Sequence, residues 1–135
     1  MNKSRPKFTH HERETTPEDH SVRRKGYALK GRIWLEGRKG TFIGYGRVVL
    51  LERIREYGSI SEAAKSMGMS YKRAWELVDS MNRQSRTPLV EKTTGGKGGG
   101  GARLTQAGEK AIGTFWKLHK EFGKFLKKEV RKLGI

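Results

Sequence analysis

The residues best suited to chemistry are four consecutive side chains, Ser70, Tyr71, Lys72 and Arg73, at the start of a predicted helix. Basic residues in the first turn of a helix can donate hydrogen bonds to guanine or to phosphate. Tyr71 can contact a thymine methyl group or a phosphate, and the helix N-terminus itself favours an anion. Glu76, one turn later, could accept from cytosine, although a surface salt bridge is the more ordinary interpretation. The pattern indicates nucleic-acid contact.

The sequence offers no comparable set of residues for catalysis. Three of the four histidines lie within the first 20 residues, and the fourth, His119, lies in a predicted long helix. The chain has no cysteine, which excludes disulfides, thiol nucleophiles and thiolate metal sites. No Ser-His-Asp set and no converging pair of carboxylates can be placed. We therefore expect no enzyme, no metal site and no cofactor.

The other candidate for phosphate chemistry is the glycine-rich run of residues 95–101. They contain the spacing G-x-G-x-x-G, as any tract of glycine does, and a Walker A loop fails because glycine follows Lys97 where Ser or Thr is required. The run separates two predicted strands, 89–94 and 102–105, and this arrangement is typical of a wing. Bare backbone and one lysine can approach a DNA backbone or minor groove without clashes.

Two short helices joined by a glycine-containing turn must position the reactive side chains. Ser59 begins the first helix with capping-box spacing to Glu62, and apolar residues follow at helical intervals until Gly68. Ser70 caps the second helix, whose apolar residues repeat the same spacing. The pattern predicts a helix-turn-helix, with a helical hairpin in a bundle as the alternative. We interpret the ring of Trp75 as packing on a neighbour rather than stacking on a base.

These elements give a set of predicted DNA contacts from the two helix starts, the second helix and the wing. The set comprises Ser59, Ser70, Tyr71, Lys72, Arg73, Glu76, Lys97 and Arg103.

Composition agrees with a polyanion partner. The chain has 135 residues and 15.4 kDa, the size of one domain, with 30 Lys and Arg against 14 Asp and Glu and a net charge of +16. Such a surface attracts nucleic acid first, and anionic membranes or acidic proteins after it. The hydrophobic fraction of 33% predicts a small core. The sequence has no apolar run of about 18 residues, and we expect a cytosolic protein that spans no membrane.

Flanking segments complete the predicted fold. Residues 1–26 hold few large apolar side chains and are predicted to be a flexible tail, so the domain covers 27–135. Residues 33–35 and 41–43 suit the two strands of an N-terminal hairpin, and 47–57 suit a helix that Gly58 ends. The predicted fold class is mainly α with small β: a winged helix-turn-helix with an N-terminal β-hairpin.

A long last helix, about 106–133, carries an apolar stripe that exceeds what so small a core can cover. We predict that this helix forms a homodimer, and the alternative is that it wraps on its own domain. The predicted interface residues are Phe115, Leu118, Phe122 and Phe125.

Four strings of the sequence, 58–64, 69–75, 89–91 and 94–105, closely resemble the N-terminal DNA-binding domain of the ModE family of molybdate-dependent transcriptional regulators. The resemblance extends from about residue 32 to the long helix. It implies a winged helix related to the LysR-type regulators, with residues 70–73 in the recognition helix, Lys97 at the wing tip and the last helix in a dimer interface. It also implies control of genes for molybdate uptake or molybdoenzymes.

One departure from the family concerns sensing. Full-length ModE proteins carry oxyanion-binding modules after the long helix, whereas this sequence stops at Ile135. We therefore expect that a separate protein senses the effector, that the signal is different, or that DNA binding is constitutive. The function predicted overall is a sequence-specific, double-stranded DNA-binding regulator without the molybdate-sensing domain. The main alternative is a nonspecific architectural nucleic-acid-binding protein.

Overall fold

The computed structural model describes residues 20–94 and 100–134 as four helices and three antiparallel strand pairs, β1–β2, β3–β4 and β5–β6. In chain order these elements are β1 His20–Arg24, β2 Tyr27–Gly31, β3 Leu35–Gly37, β4 Gly40–Ile43, α1 Tyr45–Tyr57, α2 Ile60–Ser66, α3 Tyr71–Gln84, β5 Val90–Thr93, β6 Gly101–Leu104 and α4 Gln106–Val130. Within the described ranges, no helix combines the length and the apolar character that crossing a membrane needs. The predicted winged helix-turn-helix is confirmed in its helices, its wing and its long last helix.

The described residues divide into two compact units. The first unit, Trp34–Phe115, holds β3 to β6, helices α1 to α3 and the beginning of α4. The second unit consists of the β1–β2 hairpin with residues up to Ile33, together with α4 from Trp116 onward.

The first unit has a dense apolar core. Helices α1, α2 and α3 contribute side chains from one face each, and the wing strands and the start of α4 complete it. Its most deeply buried members are Val48, Leu50, Leu51, Ile54, Ala63, Ala64, Ala74, Met81 and Phe115. No polar or charged residue of the described chain is classed as buried, so burial of apolar surface stabilises this core.

The starts of α2 and α3 and the end of α1 are those that the sequence predicts, whereas α1 begins at Tyr45 rather than at residue 47 and α4 ends at Val130 rather than at about residue 133. The Oγ of Ser59 accepts from the backbone N–H of Glu62 at 3.0 Å. The Oγ of Ser70 accepts from the N–H of Arg73 at 3.0 Å. Gly58 ends α1 at φ 74°, a left-handed conformation that glycine adopts without strain. Local capping therefore places α2 and α3 at the predicted positions.

The start of α4 is fixed by Thr105 and by a close backbone approach. The N–H of Thr105 donates to the carbonyl of Leu89 at 2.9 Å, and its Oγ1 accepts from the N–H of Gly108 at 3.1 Å. A Cβ at Gly108 would collide with the Leu89 carbonyl oxygen. The absence of a side chain at this position is what lets α4 pack against the base of the wing.

The second unit corrects the predicted tail. Residues 20–24 pair with 27–31 as a hairpin, through a two-residue turn in which Lys25 and Gly26 both have positive φ (48° and 83°). That combination defines the type I′ turn that suits a two-residue hairpin. The tail prediction is therefore wrong for residues 20–26, and its remainder, residues 1–19, lies outside the described residues.

Contacts to a distant helix hold this hairpin. The ring of His20 lies 3.9 Å from that of His119 and 5.4 Å from that of Phe122, centroid to centroid. Burial, and then the neighbouring His20, lower the pKa of His119. The polar composition of the strand gave no sign of this packing, because its partners lie about a hundred residues later in the sequence.

The N-terminal hairpin of the first unit is shifted from its prediction. Ile33 and Trp34 precede the strand instead of lying in it, and β3 begins at Leu35. The chain passes between the two units at this point, and the register shifts between Leu35 and Glu36. The indole Nε1 of Trp34 donates to the carboxylate of Glu36 at 2.8 Å, and Trp34 stays half exposed.

Two glycines of α4 give a matched test of the close approach. We expect Gly108→Ala to destabilise the protein by ~1–3 kcal/mol, because its Cβ must displace backbone. Gly113, where a Cβ would meet no atom within 4 Å, is the control. Gly113→Ala should stabilise by ~0.5–1 kcal/mol through helix propensity. Thermal unfolding of both variants measures the difference, and equal effects would contradict this account of Gly108.

Candidate nucleic-acid interface

Helix α3 presents one polar ridge away from its core face. Its buried positions are Ala74, Leu77, Val78 and Met81. Opposite this stripe, at helical spacing, lie Lys72, Glu76, Asp79 and Arg83.

The two ends of the ridge differ in what they contact. Arg83 Nε lies 3.0 Å from Asp79 Oδ2, so the C-terminal half of the ridge is an internal ion pair. Lys72 and Glu76 are exposed, and within the described residues neither forms an ion pair. The first two turns of α3 are therefore the part with uncommitted donors and acceptors.

The predicted contact residues of the helix-turn-helix lie together at the start of α3. Tyr71 is 53% exposed, and Lys72 and Arg73 are exposed beside it. The hydroxyl oxygens of Ser59 and Ser70 already accept capping hydrogen bonds, which assigns both residues a structural role. Each serine still has its hydroxyl hydrogen to donate.

Arg47 of α1 is a basic residue of this surface that sequence reasoning missed. Its Nη1 donates to the Oγ of Ser80 in α3 at 3.0 Å. Burial lowers the pKa of Arg47, the nearby charge of Arg73 lowers it further, and Glu36 opposes them. Because Ser80 and Arg73 lie seven residues apart, two turns of α3, Arg47 and Arg73 place two positive charges on one flank of the helix. Residue spacing gave no signal for this contact, because the contact depends on how α1 packs.

The opposite flank of α3 is tied to the wing by Asn82. The Oδ1 of Asn82 accepts from the N–H of Leu89 at 2.8 Å and from the N–H of Val90 at 3.2 Å. Its Nδ2 donates to the carbonyl of Val90 at 3.0 Å. One amide side chain therefore sets the position of the first wing strand relative to α3.

A second amide, Gln84, ties α3 to the β3–β4 hairpin. Its Nε2 donates to the carbonyl of Thr41 at 2.9 Å and to the Oγ of Ser80 at 3.2 Å. Sequence reasoning assigned no role to either Asn82 or Gln84. Polar residues near a helix end give no indication of which distant backbone they contact.

The wing strands place their charged residues on opposite faces. In the β5–β6 ladder, Glu91 lies opposite Arg103 and Lys92 lies opposite Ala102. Arg103 Nε is 2.7 Å from Glu91 Oε2, so this predicted DNA contact is already engaged in an exposed ion pair. The predicted wing-tip residue Lys97 lies outside the described residues.

Trp75 is less enclosed than the favoured interpretation required. Its side chain is 40% exposed, although it follows the buried Ala74. Core support accounts for only part of this ring, and the remainder is surface next to the exposed Tyr71 one turn earlier.

The predicted dimer residues of α4 separate into two groups. Phe115 is 1% exposed within its own chain, so its assignment to an interface is corrected to the core. Leu118 and Phe125 are 41% and 55% exposed. Phe122 is half-buried, and its ring stacks on Phe125 at 6.4 Å and contacts His20. The exposed apolar positions of this helix are therefore Leu118 and Phe125.

Comparison with known proteins fits this arrangement. The family model described as bacterial regulatory helix-turn-helix protein, lysR family, matches residues 46–109. Residues 46–109 are a LysR-type helix-turn-helix domain. The domain runs from the start of α1 through α2, α3 and the wing into α4.

Several known proteins are similar to this chain over the helix-turn-helix domain. The transcriptional regulator ModE of Yersinia pestis is 54% identical over 66 residues, 49% of this chain and 25% of that protein. The DNA-binding transcriptional dual regulator ModE of Escherichia coli K12 is 53% identical over 66 residues, with the same coverage of 49% and 25%. The molybdenum-pterin-binding protein MopB of Rhodobacter capsulatus is 43% identical over 98 residues, 73% of this chain and 36% of that protein. The chain thus spans about a quarter to a third of these relatives.

The Asn82 contacts of the helix-turn-helix domain can be tested by substitution. We expect Asn82→Ala to destabilise the domain by ~1–3 kcal/mol, because two N–H groups of buried residues lose their acceptor. Amide hydrogen exchange at Leu89 and Val90 should accelerate. Asn82→Asp keeps the acceptor oxygen but loses the donor to Val90, and we expect an intermediate effect. Unchanged exchange in the Ala variant would contradict the assignment.

Proposed function

We propose that this chain is a transcriptional regulator of the ModE type, which binds double-stranded DNA at specific sequences through its helix-turn-helix domain. The observation that carries the proposal is the uncommitted N-terminal end of α3. There Tyr71, Lys72 and Arg73 are exposed on a helix whose opposite face is buried. The names of the relatives support the same function.

Base readout belongs to the N-terminal half of the ridge of α3, Lys72 and Glu76. The major groove of DNA is ~12 Å wide and admits one α-helix. With the first turn of α3 in the groove, Lys72 donates to guanine and Glu76 accepts from cytosine. Arg73 and Arg47 lie on a flank of the helix, where paired positive charges suit the phosphate backbone. The contacts that specify sequence and those that position the domain thus come from different sides of α3.

A homodimer formed through α4 would present two such helices. Leu118 and Phe125 lie seven residues apart, two turns of helix, and expose apolar surface on one side of α4. A second copy of this chain is the partner that buries the same residues in both molecules, as two-fold symmetry requires. Two recognition helices ~34 Å apart would then read a two-fold symmetric site.

Molybdenum-related genes are the proposed targets. Support comes from the names of relatives, which include a molybdenum transport protein ModE of Azotobacter vinelandii that is 40% identical over 91 residues.

In vitro selection from random duplexes tests the proposal directly. We expect enrichment of a two-fold symmetric motif, since two copies of α3 read equivalent half-sites. On the selected duplex, Lys72→Ala should lose ~1–3 kcal/mol of binding free energy and relax the base preference at one position. Arg83→Ala is the control, because Arg83 is paired with Asp79.

Two outcomes would contradict this proposal. Selection without enrichment would indicate a nonspecific architectural protein. An equal loss for Lys72→Ala on selected and random duplexes would show that Lys72 contacts only phosphate.

The dimer has its own test. We expect the double variant Leu118→Gln/Phe125→Gln to sediment as a folded monomer and to bind the symmetric duplex at least ~10-fold more weakly, because one half-site contact is lost. Lys128→Gln, an exposed change on the same helix, is the control. Phe122 is avoided because it also packs on His20. A monomeric unmodified protein at tens of micromolar would refute the dimer.

A further inference from the structure

A concavity of about 510 Å³ lies in the helix-turn-helix domain between the start of α2, the start of α3 and the wing. Its lining includes the hydroxyl-bearing residues Ser59, Ser61 and Tyr71, together with Lys92 and the bare backbone of Gly100. Ser61, Tyr71, Lys92 and Gly100 are exposed, so the concavity opens to solvent. It joins the N-terminal turn of α3 to the inner side of the wing.

Strand alternation decides which wing residue faces this space. Side chains two apart on a strand share a face, so Lys92 lies on the same face as Val90, which is 5% exposed. The cross-strand partner of Lys92 is Ala102, which is 4% exposed and also lines the concavity. Glu91 and Arg103 therefore occupy the outer face of the wing.

The charge balance of the concavity is positive. Lys92 is exposed, and in the described part of the chain no carboxylate lies within ion-pair distance of it. The acidic residue of the lining, Glu62, lies 3.6 Å from the amine of Lys65, which offsets its charge. The lining thus combines a lysine with hydroxyl-bearing side chains, and such a combination suits an anion with more than one oxygen.

We propose that Lys92 and Tyr71 together bind one phosphate of the DNA backbone in this concavity, and that Lys92 rather than Arg103 is the cation through which the described wing strands contact DNA. The inference rests on the proposed DNA binding and specifies where the duplex backbone passes. A phosphodiester is the occupant because the concavity borders the first turn of α3. A base edge held by Lys72 places the neighbouring backbone beside that turn.

Bare backbone at the rim supports this occupant. Gly100 lines the concavity and has no side chain to exclude a sugar-phosphate chain, and a Cβ there would meet no atom within 4 Å. At Gly101, a Cβ would collide with the Oγ1 of Thr93, so the strand pair itself requires glycine there. The two positions thus favour glycine for different reasons. Gly101 is required by the pairing of the wing strands, whereas Gly100 leaves the opening of the concavity free of a side chain.

The experiment measures DNA-binding affinity as a function of salt concentration for three variants that each lack one positive charge. Lys92→Gln, Arg103→Gln and Lys110→Gln each remove one positive charge from an exposed residue of the same unit, so the loss of long-range attraction is matched. Binding is measured on the selected duplex and on a random duplex between 50 and 200 mM salt. Lys110, on α4, is the control for charge alone.

We expect Lys92→Gln to weaken binding to both duplexes about threefold or more and to lower the slope of log affinity against log salt by ~0.9 for each bound subunit. Lys92→Arg should restore the slope. Tyr71→Phe should weaken binding with the slope kept, because it removes a neutral donor. Melting temperatures should stay unchanged, since the side chains of Lys92 and Tyr71 are exposed.

The experiment distinguishes failure of the proposed function from failure of this inference. If the unmodified protein binds no duplex, the proposed function is wrong and the inference falls with it. If the unmodified protein binds and Lys92→Gln behaves like Lys110→Gln, the inference alone is wrong. A larger change of slope for Arg103→Gln than for Lys92→Gln would place the duplex on the outer face of the wing and overturn it as well.

Discussion

The hydrogen bonds of Asn82 are the constraint on which the helix-turn-helix domain depends. A wing is a two-stranded hairpin, and an isolated hairpin of that kind is marginally stable in water. Here the first wing strand is held at its base by one side chain that satisfies two backbone donors and one acceptor at once. Because Asn82 lies on α3, the wing is positioned by the helix whose N-terminal end carries the proposed base contacts.

Two further hydrogen bonds fix the wing and α3 to other parts of the domain. The N–H of Ala102 donates to the carbonyl of Gly58 at 2.9 Å, which joins the second wing strand to the turn before α2. Gln84 joins the C-terminal end of α3 to β4 through Thr41. Helix α3 is thus fixed on both flanks by polar contacts and on its core face by apolar ones. Among the described residues, nothing occupies the N-terminal end of its solvent ridge, as the proposed insertion into a DNA groove requires.

The sequence predicted features that depend on neighbouring residues and missed features that depend on residues far apart in the chain. The capping serines Ser59 and Ser70 and the stop at Gly58 act within four residues, so their patterns predicted the helix ends. The β1–β2 hairpin was missed because its first strand is polar and its packing partners lie on α4. Arg47 was missed for the same physical reason. Its contact with Ser80 spans 33 positions and depends on how two helices pack.

The ion pairs have a thermodynamic consequence for the unliganded domain. Those among the described residues lie within one helix or on exposed surface, such as Arg83 with Asp79 and Arg103 with Glu91, and exposed pairs contribute ~0–1 kcal/mol. Because each pair joins one positive to one negative group, the pairs leave the whole net charge of +16, and the folded state repels itself. Screening by salt relieves that repulsion while it weakens attraction to a polyanion. Conformational stability and affinity for a polyanion therefore respond to ionic strength in opposite directions. A bound duplex would stabilise the folded state as counterions do, because its phosphates neutralise the same positive charges.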